Sequence, residues 1–517
     1  MVATASPSRA STVIQDVRSF NEERKDDRQK QEVTLDEKSE AFLVTWDEGD
    51  PENPLNWSRT KRWYMTIVGG ILVLNATFAS SAPSNMLPPM IEYFGFSLEV
   101  ATLMISLFVA GYCVGPLIWA PASEQMGRRP VFLFTFFCYT GFQVGCALSK
   151  NTASILIFRL LGGIFAAAPL TNSGGLVSDI WDVKTRGTAM VLFALAPFAG
   201  PALGPVCSGW MSIAGVSWRW LFWVLTIFAG SCFCLIFCTL PETYVPVLLV
   251  KKAKRLRAET GDARYYAPME LGQTTLSQTI NKTLATPFKV LFQEPVLMAI
   301  TFYMSFLYGV IYLIFEAFPI VFTEGHHLNA GISGLMFLPI SIGGACGGIL
   351  YLVYYNPRYV KLMKVHAPAK VPPEARLEPC LLAAPLFAVA FFWFGWTSFP
   401  SISYWSPLLA GGLLGFAIFM IFFSLINYVV DMYLFVAASA LAATTVVRSI
   451  FGAVFPLFAR QMFDAMNPRW ASTLLGCVAL VMVPIPIILV KFGPTLRTKS
   501  RFAPHIPLTP SPAMAEA

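Results

Sequence analysis

Stretches of about twenty apolar residues, each bounded by charges or turn residues, recur along this chain from residue 64 to residue 491. A helix needs about 20 such residues to cross roughly 30 Å of hydrocarbon, because each residue rises ~1.5 Å and every backbone polar group must be paired internally. Twelve windows meet this requirement, at 64–85, 100–121, 130–149, 154–177, 188–212, 219–240, 296–323, 332–355, 380–397, 407–430, 436–460 and 471–491, numbered here as spans 1 to 12. Only 13% of the residues are charged, against about 25% in soluble domains, so lipid has to cover the excess apolar surface. The expected fold class is therefore an all-α membrane protein with 12 transmembrane helices.

Lys and Arg of short loops stay on the cytoplasmic side, and here alternate loops differ sharply. One set carries Arg128, Arg129, Lys184, Arg186, the run from Lys251 to Arg257, Arg358, Lys361 and Lys364; the other holds little beyond Lys150, Arg219 and Arg469. Both termini are expected in the cytoplasm. The polar segment 241–295 separates the helices six and six and reads as a cytoplasmic linker, dividing an N-terminal bundle at 59–240 from a C-terminal bundle at 296–491. Residues 1–58 hold thirteen acidic and seven basic side chains with few apolar clusters, so a disordered cytoplasmic tail is expected there; 492–517 reads as a second tail. No apolar signal peptide opens the chain. The net charge of +7 lies in short runs between spans and forms no stripe suited to nucleic acid. Ten cysteines fall in or beside apolar spans, where packing is the expected role, and the four histidines form no metal or catalytic constellation.

Several charges and bends are too costly in this setting to be incidental. Between spans 2 and 3, Glu124, Gly127, Arg128 and Arg129 occupy one tight turn: Gly127 permits the reversal, and Glu124 precedes Arg128 by four residues, so the charges can pair or engage a neighbouring helix end. Such a cluster can latch one bundle on the other, or simply anchor the loop at the cytoplasmic face. Arg159 is the only charge in a long apolar stretch of span 4, and an intramembrane arginine marks a cavity or proton path unless it snorkels to the interface. In span 5, Pro197, Pro201 and Pro205 stand at i, i+4 and i+8 beside Gly200 and Gly204, a pattern that bends a helix and lets another approach closely. Span 7 sets Tyr308, Tyr312 and Glu316 on one face, making Glu316 the preferred carboxylate for taking up and releasing a proton, with an exposed vestibule residue as the plainer reading. Ser424, Asn427, Tyr428 and Asp431 share a face at the end of span 10, and Arg448 within span 11 needs a polar partner or a hydrated cavity.

These segments resemble, in order, those of a known family. The run from Gly115 to Pro130 is similar to the loop between spans 2 and 3 of the major facilitator superfamily, in a fungal form with Ser123-Glu124 and with Ala120 where glycine is usual. The Gly200-Pro201 and Gly204-Pro205 pairs resemble the span-5 motif of antiporters. The surroundings of Arg159 resemble a span-4 motif tied to proton coupling. Asn427 to Tyr433 with Arg448 and the stretch from Gly452, Asp50 to Ser58, and Leu240 to Tyr244 resemble fungal twelve-span drug:proton antiporters.

The resemblance implies two six-helix bundles rocking about a central site. It also implies proton-coupled export of a hydrophobic or amphipathic drug, toxin or secondary metabolite across the plasma membrane, by a monomer with no cofactor beyond the proton gradient. Arg159, Glu316, Asp431 and Arg448 are the candidate coupling residues, and Tyr308, Tyr312, Asn427 and Tyr428 the candidate cavity lining. A nutrient or polyamine carrier on the same fold would call for several cavity carboxylates, and an enzyme or receptor for a catalytic cluster or soluble domain.

Overall fold

The computed structural model describes residues 42–182, 185–271, 276–366, 371–434 and 436–502, with the side chains of 276–284 left aside. Among these residues the secondary structure is helical apart from one isolated bridge, Leu43 to Tyr266. Eleven helical stretches are long and apolar enough to span a bilayer. The last, Ala437–Lys499, has 63 residues, about 95 Å of continuous helix and three times the hydrocarbon thickness. It cannot be one crossing. Its backbone breaks at Asn467 (φ 61°, ψ 154°) just ahead of Pro468, which separates spans 11 and 12 and restores twelve. Proline suits the first position of the new helix, where its missing N–H would have had no partner.

The spans pack as two bundles within one compact unit. Spans 2 and 4, 3 and 6, and 1 and 5 pair in the first half, and spans 7 and 11, 8 and 10, and 9 and 10 in the second. The cores contain small and aromatic residues because lipid gives helices no hydrophobic reason to associate, so tight van der Waals packing has to hold them. Span 5 shows the means. A Cβ at Gly200 would strike the Thr77 hydroxyl and the Phe78 backbone, and one at Gly204 the Ser81 hydroxyl and the Ala82 backbone, so both glycines seat span 5 directly on span 1.

The halves meet through span 5 on span 8 and span 2 on span 11. The final helix runs on to Lys499, eight residues past the end expected for span 12; there Arg497 pairs with Glu374 at 3.7 Å, and the Arg501 backbone N–H donates to Glu294 at 2.8 Å. The start of the expected C-terminal tail is thus part of the folded body.

The described residues within 1–56 and 244–276 form a second unit. Its linker helix, Val245–Thr260, turns Lys252 to Asp47 (3.0 Å) and Asp50 (2.8 Å) and Arg255 to Glu52 (2.6 Å), while Val44, Leu249, Ala253 and Ala267 make a small apolar core. Lys252 also holds the Asp50 carboxyl below its ordinary range. The expectation of a tail without structure therefore fails for 42–56. Its acidic residues and the basic linker run are each unfavourable for compaction alone, and they neutralise one another when brought together. Residues 1–41 lie outside the described residues.

Candidate functional site: a cavity open at one end

A cavity of about 1010 Å³ lies between the bundles. Its walls come from spans 2, 4 and 5 on one side and spans 7, 8, 10 and 11 on the other. It opens at the end bearing Glu124, Arg128, Arg186 and Arg376, which is the end with the basic loops. The opposite end is sealed by contacts across the two halves. The hydroxyls of Ser80 on span 1 and Tyr312 on span 7 share a hydrogen bond of 3.0 Å, and Ser341 of span 8 donates to the Phe198 carbonyl of span 5 at 2.7 Å. The Phe198 and Phe419 rings meet edge to face, and Gly334 packs on the Pro205 backbone.

The turn after span 2 is built differently from its sequence expectation. Gly127 has φ 100°, a region that disfavours side chains, and a Cβ there would collide with the Glu242 carboxylate. That carboxylate accepts the backbone N–H of Arg128 (2.8 Å) and of Arg129 (3.2 Å), capping the exposed start of span 3 where the helix dipole favours an anion. Arg128 pairs with Asp179 of span 4 at 3.3 Å and donates to the Ser123 hydroxyl at 2.6 Å. Arg129 donates to the Phe237 carbonyl at 3.1 Å. All of these partners belong to the same half, so the cluster braces one bundle at the cavity mouth; with the mouth open, the expected latch across the halves is not what these bonds make.

Asp179 and Glu242 are the residues that sequence reasoning missed. Glu242 stood in a quoted motif, Leu240 to Tyr244, but only the fold carries it back to span 3. Glu242→Gln should halve the cap's charge-assisted bonding and cost about 1 kcal/mol, and Gly127→Ala more, because it adds a clash and a forbidden φ. Thermal unfolding of purified protein would rank them.

The second half repeats the device. Arg376, ahead of span 9, pairs with Asp431 at the end of span 10 at 2.8 Å, Tyr359 donates to the same carboxylate at 3.3 Å, and the guanidinium stacks on the Tyr359 ring at 3.5 Å. Asp431, a candidate for coupling, is thus held as an ion-pair partner at the mouth.

The other candidates separate into cavity and core. Arg448 and Asn427 line the cavity, and Tyr308 lies beneath the Arg448 guanidinium at 4.8 Å. Tyr428, expected on the lining, is 1% exposed and packs into the core of the second bundle, because a helical face holding residues 424, 427, 428 and 431 is too wide for all four to reach one cavity. Arg159 neither snorkels nor reaches a cavity. Fully buried, it donates to the carbonyls of Met104 (2.7 Å), Ala79 (3.0 Å) and Ser80 (3.4 Å) and lies over the Phe108 ring at 4.1 Å, tying spans 1, 2 and 4 together. Glu316 is buried on the sealed side of the Ser80–Tyr312 bond, beside the Thr102 hydroxyl of span 2.

A helical shell in two halves around a drug-sized cavity, open at one end and closed at the other, defines a membrane transporter of small molecules and not an enzyme. Comparison with known proteins agrees: residues 69–456 match the Major Facilitator Superfamily. Over 468 residues the chain is 40% identical to the multidrug transporter mdrA of Aspergillus fumigatus, covering 90% of this chain and 76% of that one. It is 38% identical over 467 residues to the citrinin biosynthesis cluster transporter mrr1 of Monascus ruber, covering 90% and 93%. Among solved structures, the xylose transporter XylE from E. coli superposes with a TM-score of 0.58 at 16% identity, covering 84% of this chain and 98% of that one. The chain belongs to the major facilitator superfamily.

Proposed function

We propose that this transporter exports a hydrophobic or amphipathic small organic molecule, such as a secondary metabolite, toxin or drug, in exchange for protons across the plasma membrane. The observation that carries the reading is the cavity of about 1010 Å³, mostly apolar and opening among the basic loops. Because such loops are retained in the cytoplasm, this is the inward-facing state, which would take its cargo from the cell interior or inner leaflet. The names of the relatives, a multidrug transporter and a biosynthesis-cluster transporter, point the same way. A polyamine carrier would need carboxylates facing its cargo, whereas among the described residues four arginines and two carboxylates line this cavity.

Glu316 is the proposed coupling group. Water from the cytoplasmic mouth is separated from it by the Ser80–Tyr312 bond, so it meets the outside medium only when the sealed end opens. Its position between spans 2 and 7, across the two halves, would make its charge state bear on that opening: a carboxylate there is costly to bury and a carboxylic acid much less so. Glu316→Gln is expected to keep cargo exchange and lose pH-driven uphill transport, measured in proteoliposomes with an imposed pH gradient and a panel of radiolabelled hydrophobic fungicides. Full uphill transport by the variant would remove Glu316 from the coupling role. Efflux from cells that is indifferent to a proton ionophore would remove proton coupling altogether.

A further inference from the structure

Two arginines lie deep in the membrane region, and their surroundings differ in one respect. Arg159 has three carbonyls and an aromatic face. Arg448 lies on the cavity wall with the faces of Tyr308 (4.8 Å) and Phe422 (5.7 Å) against its guanidinium, and its buried Nε has no hydrogen-bond partner among the described residues. The two threonine hydroxyls that line the cavity on the same span are already engaged. Thr444 bonds to Thr301 and to the Ala440 carbonyl, and Thr445 to the Leu441 carbonyl. Of the two cavity carboxylates, Asp431 is taken by Arg376, and Glu124 lies at the open end.

A guanidinium stays charged at any physiological pH, and a buried charge without a counter-charge is expensive. Ring faces offset part of that cost, about 0.5–2 kcal/mol each, but supply no hydrogen-bond acceptor. A planar fork of donors facing a cavity matches a carboxylate, which can accept two of its N–H groups at once. The wall also presents Phe423, Met304, Met190 and Phe193, which suit a hydrocarbon or aromatic body.

We propose that Arg448 is the anchor for an acidic group on the cargo, so that the transported class is an amphipathic organic anion, an apolar body carrying one carboxylate. The assignment rests on the transport reading above and narrows it. Cargo of this kind would provide the counter-charge that the protein itself does not place at Arg448, and its departure on the far side would leave the cation to be rehydrated.

The test uses full-length protein in phosphatidylcholine nanodiscs and a graded panel of aromatic monocarboxylates, from 4-butylbenzoate to larger fused-ring acids, each paired with its carboxamide. The expected result is at least one pair in which the carboxylate binds about tenfold tighter or more, with the difference erased in Arg448→Gln and partly kept in Arg448→Lys. Equal binding within every pair by the unaltered protein, or no binding by any acid, would overturn the proposal and needs no variant to fold. A preference that survives Arg448→Gln would overturn it too. Direction is measured separately in everted vesicles: pumping of neutral compounds without carboxylate preference would leave export standing and sink the anion site, and carboxylate preference without pumping would do the reverse.

Discussion

Arg159→Ala is expected to abolish transport and also to destabilise the N-terminal bundle. The side chain is fully buried and makes charge-assisted bonds to carbonyls on spans 1 and 2, so its removal leaves a cavity and takes away the tie between three helices. Each such bond contributes roughly 1.5–3 kcal/mol net, and the truncation adds a packing loss, which together imply a cost on the order of 3 kcal/mol or more. In the sequence alone the cation marks a cavity or proton path, a role whose loss would spare folding. The structure changes that expectation. Thermal unfolding in detergent and surface expression should both fall, and Arg159→Lys should recover only part, since an ammonium cannot reach separate carbonyls with a rigid planar fork. Unaltered stability with transport lost would return Arg159 to a purely functional role.

Substitutions in the span-5 region should divide by which helix they strike. At Gly204, a leucine would drive into the Ser81 hydroxyl and the Ala82 backbone of the same bundle, with nothing able to yield; misfolding and low yield are expected. At Gly334 of span 8, a Cβ would meet the Pro205 carbonyl at 2.5 Å and the Val206 Cα at 3.0 Å, across the two halves. Gly334→Leu should therefore leave each bundle intact and prevent the sealed end from closing. A two-state equilibrium shifts by the differential cost in its two states, and a clash of a few kcal/mol confined to one of them moves populations by tenfold or more, roughly a decade per 1.4 kcal/mol. Cysteine labelling should then rise at the sealed end and fall in the cavity, with cycling lost. Equal labelling in Gly334→Leu and the unaltered protein would show that the contact is not part of the gate.

The membrane class, the number of crossings and the places where charge is costly are legible in the sequence, because hydrocarbon imposes a local rule on every stretch of about twenty residues. Gly127, Gly200, Gly204, Arg159 and Arg448 stand out for the same reason: each violates that rule or marks a close approach. What a charge faces is a different matter. Arg159 and Arg448 look alike in one dimension, yet one is met by three carbonyls of spans 1 and 2 and the other by two ring faces and a cavity. Tyr428 and Asn427 are adjacent in sequence, and the rotation of one helix sends the first to a core and the second to the cavity. Glu242 finds its partner more than a hundred residues away at Arg128, and Arg376 finds Asp431 across two spans. The solvent each segment must tolerate can be read from the residues alone, since transfer to lipid depends on composition over a short window. Which buried polar groups are satisfied emerges from the fold, since that depends on helix rotation and on partners brought together by packing.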